Sequence, residues 1–200
     1  MTEEFTGYQR ALDGCEAVLC AVPADGWAAP SPCTEWSARD VAGHLVGGQH
    51  MIRDLAAAGG PSEDVNTAPG RFAGADPVES WRAARKECAA ALTPVALRRQ
   101  IPFGELGEVP LRDFLDGYIL ELLVHTWDIA QATGRPARLD ADLVHHAFAT
   151  ARVIARPLRQ AGLLGPERPA PRRADELTRL LAFMGRSPGG QETSERPGRP

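Results

Sequence analysis

The stretch Tyr118-Ile-Leu-Glu-Leu-Leu-Val-His-Thr-Trp-Asp128 places ionisable residues inside an apolar run. A helix that is apolar on all sides is buried in the protein core. Glu121 and His125 are four residues apart, so both side chains leave such a helix on one face. A buried ionisable pair is costly unless something compensates it. A divalent metal would compensate this pair, because carboxylate and imidazole are common metal ligands.

Five residues of this helix recur at helical spacing on one face: Phe114, Tyr118, Glu121, His125 and Asp128. A helix that served only for packing would carry Leu or Ala at the last three positions. A structural alternative stays open, in which Glu121 pairs with an arginine and His125 is a hydrogen-bonded core histidine. We predict that Tyr118 is catalytic, orienting substrate or acting as a general acid, although a core tyrosine would also fit. Asp128 is a candidate partner of His125 or an outer ligand.

A second candidate helix supplies a third ligand. His44 lies beside the apolar stripe that includes Val41 and Leu45. Asp40, one turn earlier, could accept a hydrogen bond from the ring of His44, or it could cap the helix together with Ser37. With Glu121 and His125, His44 would complete a two-histidine, one-glutamate metal site with open positions. Open coordination is typical of catalytic rather than structural metal sites.

The remaining pattern predicts an all-α protein. We predict helices at residues 4–22, 38–58, 77–97, 111–133, 140–161 and 174–184, the fifth broken or kinked near Pro157. Residues 100–110 contain too many Gly and Pro residues for a helix and predict a short extended hairpin. Long helices joined by loops indicate a helical bundle. We expect one domain over residues 1–187 and a disordered tail over residues 188–200.

Composition and charge exclude several classes of protein. The 200 residues carry a net charge of −4 and no basic stripe, so nucleic acid is not an expected partner. No apolar run approaches the ~20 residues that span a bilayer. The acidic N-terminus lacks the basic region of a signal peptide, and we expect a cytoplasmic protein. Four scattered cysteines predict free thiols, with Cys33 a buried structural thiol rather than a nucleophile.

Three motifs resemble those of a known family. The stretch Pro32-Cys-Thr-Glu-Trp-Ser-Ala-Arg-Asp-Val-Ala-Gly-His-Leu-Val46 resembles the PC-x-x-W-x-x-x-D-x-x-x-HL signature of the actinobacterial DinB-like superfamily. Residues 121–128 and Leu180-Leu-Ala-Phe-Met-Gly-Arg186 resemble two further signatures of its members related to the mycothiol-dependent maleylpyruvate isomerase N-terminal domain. The likeness covers residues 5–187. It implies a four-helix core, arranged up-down-down-up, with additional C-terminal helices. It also implies a divalent metal, usually zinc, held by His44, Glu121 and His125.

The same resemblance suggests a class of reaction. The superfamily includes thiol-dependent transferases and isomerases that use mycothiol or bacillithiol. In this family, maleylpyruvate isomerase itself is a longer chain with a second, C-terminal domain. The resemblance does not cover such a domain, so we do not assign that substrate. We expect a metal-dependent enzyme acting on a small electrophilic metabolite, with mycothiol as cosubstrate and a homodimer left open. Two alternatives remain: a thiol-independent lyase, cyclase or hydrolase, and a non-catalytic metal- or ligand-binding protein.

Overall fold

A computed structural model describes residues 3–57, 60, 63–103, 107–160, 162 and 164–188. Within these residues the chain is mostly helical, with one two-stranded antiparallel sheet. The helices are α1 (Glu3–Ala21), α2 (Ala38–Ala56), α3 (Pro77–Ala91), α4 (Leu111–Thr133), α5 (Ala141–Gln160) and α6 (Glu176–Phe183). The strands are β1 (Gln100–Pro102) and β2 (Glu108–Pro110), and they form the predicted hairpin.

The first four helices, α1–α4, form one core. Helix α1 packs against α4, and α2 packs against both α3 and α4. Helix α5 lies on α4, and α6 lies on α5. The predicted all-α, DinB-like bundle with additional C-terminal helices is therefore confirmed. No helix among the described residues is long and apolar enough to cross a membrane.

Helix α4 is the central element of this core. Its buried residues lie on every side of the helix, as expected for the apolar run in the sequence. The helix ends where predicted, because Gly134 adopts the left-handed conformation with φ of 63°, which glycine tolerates at little cost. Glu121 and His125 are therefore carried on a helix that is almost enclosed by its neighbours.

Helix α2 begins with a capping box and lies close to α4. The Ser37 side chain accepts from the backbone N–H of Asp40 at 3.2 Å, and the Asp40 carboxylate accepts from the backbone N–H of Ser37 at 2.9 Å. Further along, a Cβ atom on Gly48 would lie 1.8 Å from the hydroxyl oxygen of Tyr118. Glycine at this position therefore allows Tyr118 of α4 to pack directly against the backbone of α2.

Apart from shifts of one or two residues at helix ends, three predictions differ from the structure or lie outside its described part. Helix α3 ends at Ala91 instead of residue 97, because Pro94 lacks an N–H and disfavours helical geometry in the preceding residue. Helix α5 continues through Pro157. The predicted break is absent there because the fixed φ of proline is itself helical and the packing of α5 between α4 and α6 holds the helix together. The predicted disordered tail, residues 188–200, lies outside the described residues except for Pro188.

Candidate metal centre

Helices α2 and α4 bring His44, Glu121 and His125 together, and we call these three residues the inner triad. Oxygen Oε1 of Glu121 lies 2.7 Å from Nε2 of His44 and 3.2 Å from Nε2 of His125. One ligand atom from each residue can be chosen so that all three lie within 4.8 Å of one another. The two imidazole rings meet edge to face, with centroids 4.9 Å apart. Three side chains thus point their metal-ligating atoms at one point.

The outer nitrogens of both histidines are held by oxygen atoms. Nδ1 of His44 lies 3.2 Å from the carbonyl oxygen of Val65, and Nδ1 of His125 lies 3.0 Å from Oδ2 of Asp128. A carbonyl or carboxylate in this position fixes the ring orientation of a metal-binding histidine and places the N–H on the outer nitrogen. The inner Nε2 atoms then carry lone pairs that point towards Glu121.

The inner triad is short of hydrogen-bond donors. A neutral imidazole carries one N–H, yet each ring faces an oxygen acceptor at both nitrogens. Each neutral ring must therefore leave one lone pair facing an acceptor, unless a cation or an extra proton lies between them. The donor set consequently fits a divalent metal ion, for which two imidazoles and one carboxylate are familiar ligands.

Electrostatics around the triad favours a cation in the same way. Desolvation opposes ionisation of Glu121, but the neighbouring His125 and His44 outweigh it and hold the pKa of Glu121 well below its usual range. Burial lowers the pKa of His125, yet Glu121 and Asp128 together raise it well above its ordinary value. In the metal-free protein a proton on His125 thus supplies the positive charge that a bound metal ion would otherwise supply.

Behind His125 lies a second group of polar side chains, Asp128, Arg186 and Cys33, which we call the Asp128 cluster. Arg186 forms an ion pair of 2.7 Å with Oδ2 of Asp128, and the thiol of Cys33 donates to the same oxygen at 3.2 Å. Asp128 is fully buried. Although burial opposes it, His125 and Arg186 lower the pKa of Asp128 to about 2. This carboxylate is therefore ionised and fully partnered at neutral pH.

The inner triad opens into a cleft of about 380 Å³, within the range of small-molecule sites. Its apolar wall includes Trp36, whose ring centroid lies 5.1 Å from that of His44. Further apolar contacts come from α4 and from the C-terminal part of the chain, through residues Val124, Leu158 and Met184. Thr34 and Asn66 add polar groups. The cleft can therefore hold a small, partly apolar molecule beside the triad.

Comparison with known proteins identifies the family. The mycothiol maleylpyruvate isomerase N-terminal domain family matches residues 8–130, a segment that contains all three triad residues. This chain belongs to that family. Two uncharacterised proteins of Mycobacterium tuberculosis, Rv0738 of strain H37Rv and MT0763 of strain CDC 1551, are each 34% identical over 187 residues. The match covers 92% of this chain and 98% of each relative. No solved structure matches significantly.

Tyr118, the predicted catalytic residue of this family member, lies apart from the cleft. Its side chain is buried, its ring centroid is 5.8 Å from that of Phe114, and its hydroxyl lies against Gly48. It is absent from the described residues that line the cleft. Desolvation and the nearby Glu121 raise the pKa of Tyr118 well above its ordinary value. The catalytic role stays a prediction, and the position indicates packing between α2 and α4.

Two other predictions for side chains near the triad are decided by their contacts. Asp40 caps α2 and also accepts from the backbone N–H of Gly70. The alternative in which it holds the ring of His44 is wrong, because the carbonyl of Val65 takes that place. Cys33 was expected to be a buried structural thiol, but it is half-buried and lines the cleft. The loop that contains Pro30 and Pro32 places the thiol of Cys33 next to Asp128 of α4.

The site contains two groups that the sequence analysis did not assign. The carbonyl of Val65 is a backbone atom in an irregular loop, so no residue type could have marked it. Arg186 ends the third family-like motif, which was the available signal, but its role depends on contact with Asp128, 58 residues away. The other three histidines, at positions 50, 145 and 146, lie outside the triad and do not line the cleft.

Proposed function

We propose that this protein binds a divalent metal, zinc in the first instance, and transforms a small electrophile with mycothiol as cosubstrate. The observation that carries the proposal is the orientation of the two triad histidines. Their outer nitrogens face oxygen acceptors, and their inner nitrogens converge with Oε1 of Glu121 beside an open cleft. Membership of a family named for a mycothiol-dependent reaction supports the thiol as cosubstrate.

Each triad residue has a defined task in this proposal. Nε2 of His44, Nε2 of His125 and the carboxylate of Glu121 would hold the ion and leave further coordination positions on the side of the cleft. A divalent ion bound there would favour the thiolate form of a coordinated thiol at neutral pH. Three protein ligands with the remaining position open is the arrangement of catalytic zinc sites.

The walls of the cleft would orient the reactants. Trp36 and Met184 offer apolar surface in the cleft, while Thr34 and Asn66, which are exposed, offer hydrogen-bonding groups. Excluding water from this space strengthens the interaction between opposite charges and protects a thiolate from competing solvent. The electrophile would approach the triad through the cleft, since α2 and α4 carry the three triad residues.

Metal analysis of the protein purified without a histidine tag tests the first half of the proposal. We expect about one divalent ion per chain in the wild type and none in Glu121→Gln. Glu87→Gln is the matched control, because Glu87 is exposed and pairs with Arg53 on the surface. Loss of metal in both variants, or its absence from the wild type, would reject the metal site.

Cobalt substitution tests the second half. We expect mycothiol to add a sulfur-to-cobalt charge-transfer band to the spectrum of the cobalt protein, and calorimetry to show binding to the zinc protein. A matched alcohol in which oxygen replaces the sulfur should do neither. Metal binding without a thiol response would instead favour a thiol-independent lyase, cyclase or hydrolase. Metal binding with no turnover of any electrophile would favour a non-catalytic binding protein.

A further inference from the structure

Arg186 reaches into the cleft from the segment that follows α6, and protein atoms contact all three of its guanidinium nitrogens. Nε lies 3.2 Å from Oδ1 of Asp128, and Nη2 lies 2.7 Å from Oδ2 of the same carboxylate. Nη1 donates to the carbonyl oxygen of Met184 at 2.9 Å. Nη2 also lies 3.1 Å from Sγ of Cys33. An arginine in a cleft often binds an anionic ligand, but this guanidinium is already paired at two points.

The carboxylate that Arg186 holds is the same one that orients a triad histidine. Asp128 is fully buried, and its Oδ2 lies 3.0 Å from Nδ1 of His125. The contacts therefore run from Arg186 through Asp128 to the ring of His125, and from that ring to Glu121. A bidentate arginine fixes both oxygens of a carboxylate, so the direction of the bond from Asp128 to His125 is fixed as well.

We propose that Arg186 is a positioning residue of the metal centre: through Asp128 it sets the ring of His125, and it does not anchor an anionic substrate. This inference rests on the proposed metal site. Outer groups of this kind change metal affinity by about 10- to 100-fold when they are removed. Because coupling between two events is reciprocal, metal binding should in turn hold the segment after α6 more firmly on the bundle.

Arg159 provides a matched control within the same part of the molecule. Its Nε donates to the carbonyl oxygen of Gly165 at 3.1 Å, and its Nη2 contacts the carbonyl oxygen of Phe183. Its guanidinium lies 4.9 Å from the ring centroid of Phe183. Arg159 therefore ties the C-terminal part of the chain to α5, as Arg186 ties it to α4, but no described contact joins it to Asp128 or the triad.

The test measures zinc affinity by competition with a chromophoric chelator, together with the visible spectrum of the cobalt protein. We expect Arg186→Gln to weaken zinc binding by about 10- to 100-fold and to alter the cobalt bands. Arg186→Lys should recover part of the affinity, because an ammonium keeps the charge but not the two-point contact. Arg159→Gln should stay within about three-fold of the wild type, with an unchanged cobalt spectrum. Thermal unfolding of each metal-free variant shows which of them are folded.

Several outcomes would overturn the inference. Equal losses in Arg186→Gln and Arg159→Gln would reduce the role of Arg186 to general docking of the C-terminal segment. Wild-type affinity in both Arg186 variants would reject positioning while leaving the metal site intact. A wild type that binds no zinc would reject both proposals. Maleate serves as the anionic probe: if Arg186→Gln abolished maleate binding but kept zinc affinity, Arg186 would be a substrate anchor.

Discussion

Two polar groups meet at His125, and they differ in how their hydrogen bonds are balanced. In the Asp128 cluster the acceptor is surrounded by donors, namely the guanidinium of Arg186, the thiol of Cys33 and the outer ring nitrogen of His125. In the inner triad both inner ring nitrogens face a single carboxylate, and each ring has an acceptor on its other side. The first group is complete with the donors of the protein itself, whereas the second needs an added positive charge, either a proton or a metal ion.

This difference distinguishes a structural ion pair from a site for a ligand. Buried polar groups in proteins are nearly always paired, so a group that is completed only by an added cation stands out. Both groups are built partly from α4, at positions only one helical turn apart. Burial and residue type alone therefore do not distinguish the inner triad from the Asp128 cluster. The balance of hydrogen-bond donors and acceptors distinguishes them.

The largest effect on stability should come from removing Asp128 from the Asp128 cluster. In Asp128→Ala the guanidinium of Arg186, whose side chain is only 13% exposed in the wild type, loses its carboxylate. Removing one partner of a buried pair costs about 3–5 kcal/mol, and we expect that loss in the free energy of unfolding measured with urea. Glu87→Ala is the control: Glu87 pairs with Arg53 on the surface and should cost less than about 1 kcal/mol. Equal losses in the two variants would mean that the buried pair of Asp128 and Arg186 stabilises the fold no more than an exposed ion pair does.

The next largest effect should come from completing the inner triad with zinc. A ligand at 100 times its dissociation constant stabilises the folded state by about 2.7 kcal/mol. We expect this increase in the wild type and no increase in Glu121→Gln, measured by thermal or urea unfolding with and without zinc. Addition of a chelator should reverse it. Stabilisation of Glu121→Gln to the same extent would place the ion elsewhere on the molecule.

A smaller effect should follow from the titration of Asp128. Its pKa is lowered from 3.8 to about 2 in the folded protein, so it contributes stability above the unfolded pKa that is lost as the pH falls towards 2. The difference in free energy of unfolding between wild type and Asp128→Asn should shrink by about 1 kcal/mol from pH 5 to pH 3. Urea unfolding without metal measures it. A constant difference across this range would mean that Asp128 titrates normally.

The smallest effect should come from Tyr118, which shares the face of α4 but lies outside both groups. Because its hydroxyl packs against Gly48, we expect Tyr118→Phe to change the free energy of unfolding by less than about 1 kcal/mol. Turnover of any electrophile that the wild type conjugates should fall by less than about 10-fold. A general acid would instead contribute about 100- to 10,000-fold, and a loss of that size would restore the catalytic role.

Most of the fold could be predicted from local pattern. The bounds of α4 follow from its apolar run and from Gly134, and the start of α2 follows from Ser37 and Asp40. The predicted end of α3 lies too far along the chain, because the apolar spacing continues past Pro94. The helix itself cannot continue there, because proline lacks the backbone N–H that a helix needs. Helix periodicity and caps are properties of neighbouring residues, which explains why they can be read from the chain.

By itself, the sequence determined the helices, the bundle and the residue types capable of holding a metal. Only the tertiary structure decided their partners: the carbonyl of Val65 for His44, the guanidinium of Arg186 for Asp128, and the cleft for Cys33. It also placed Tyr118 against α2 instead of in the cleft. The physical reason is distance along the chain. His44 meets Glu121 across 77 residues, and such contacts depend on how whole helices pack rather than on the pattern within any one of them.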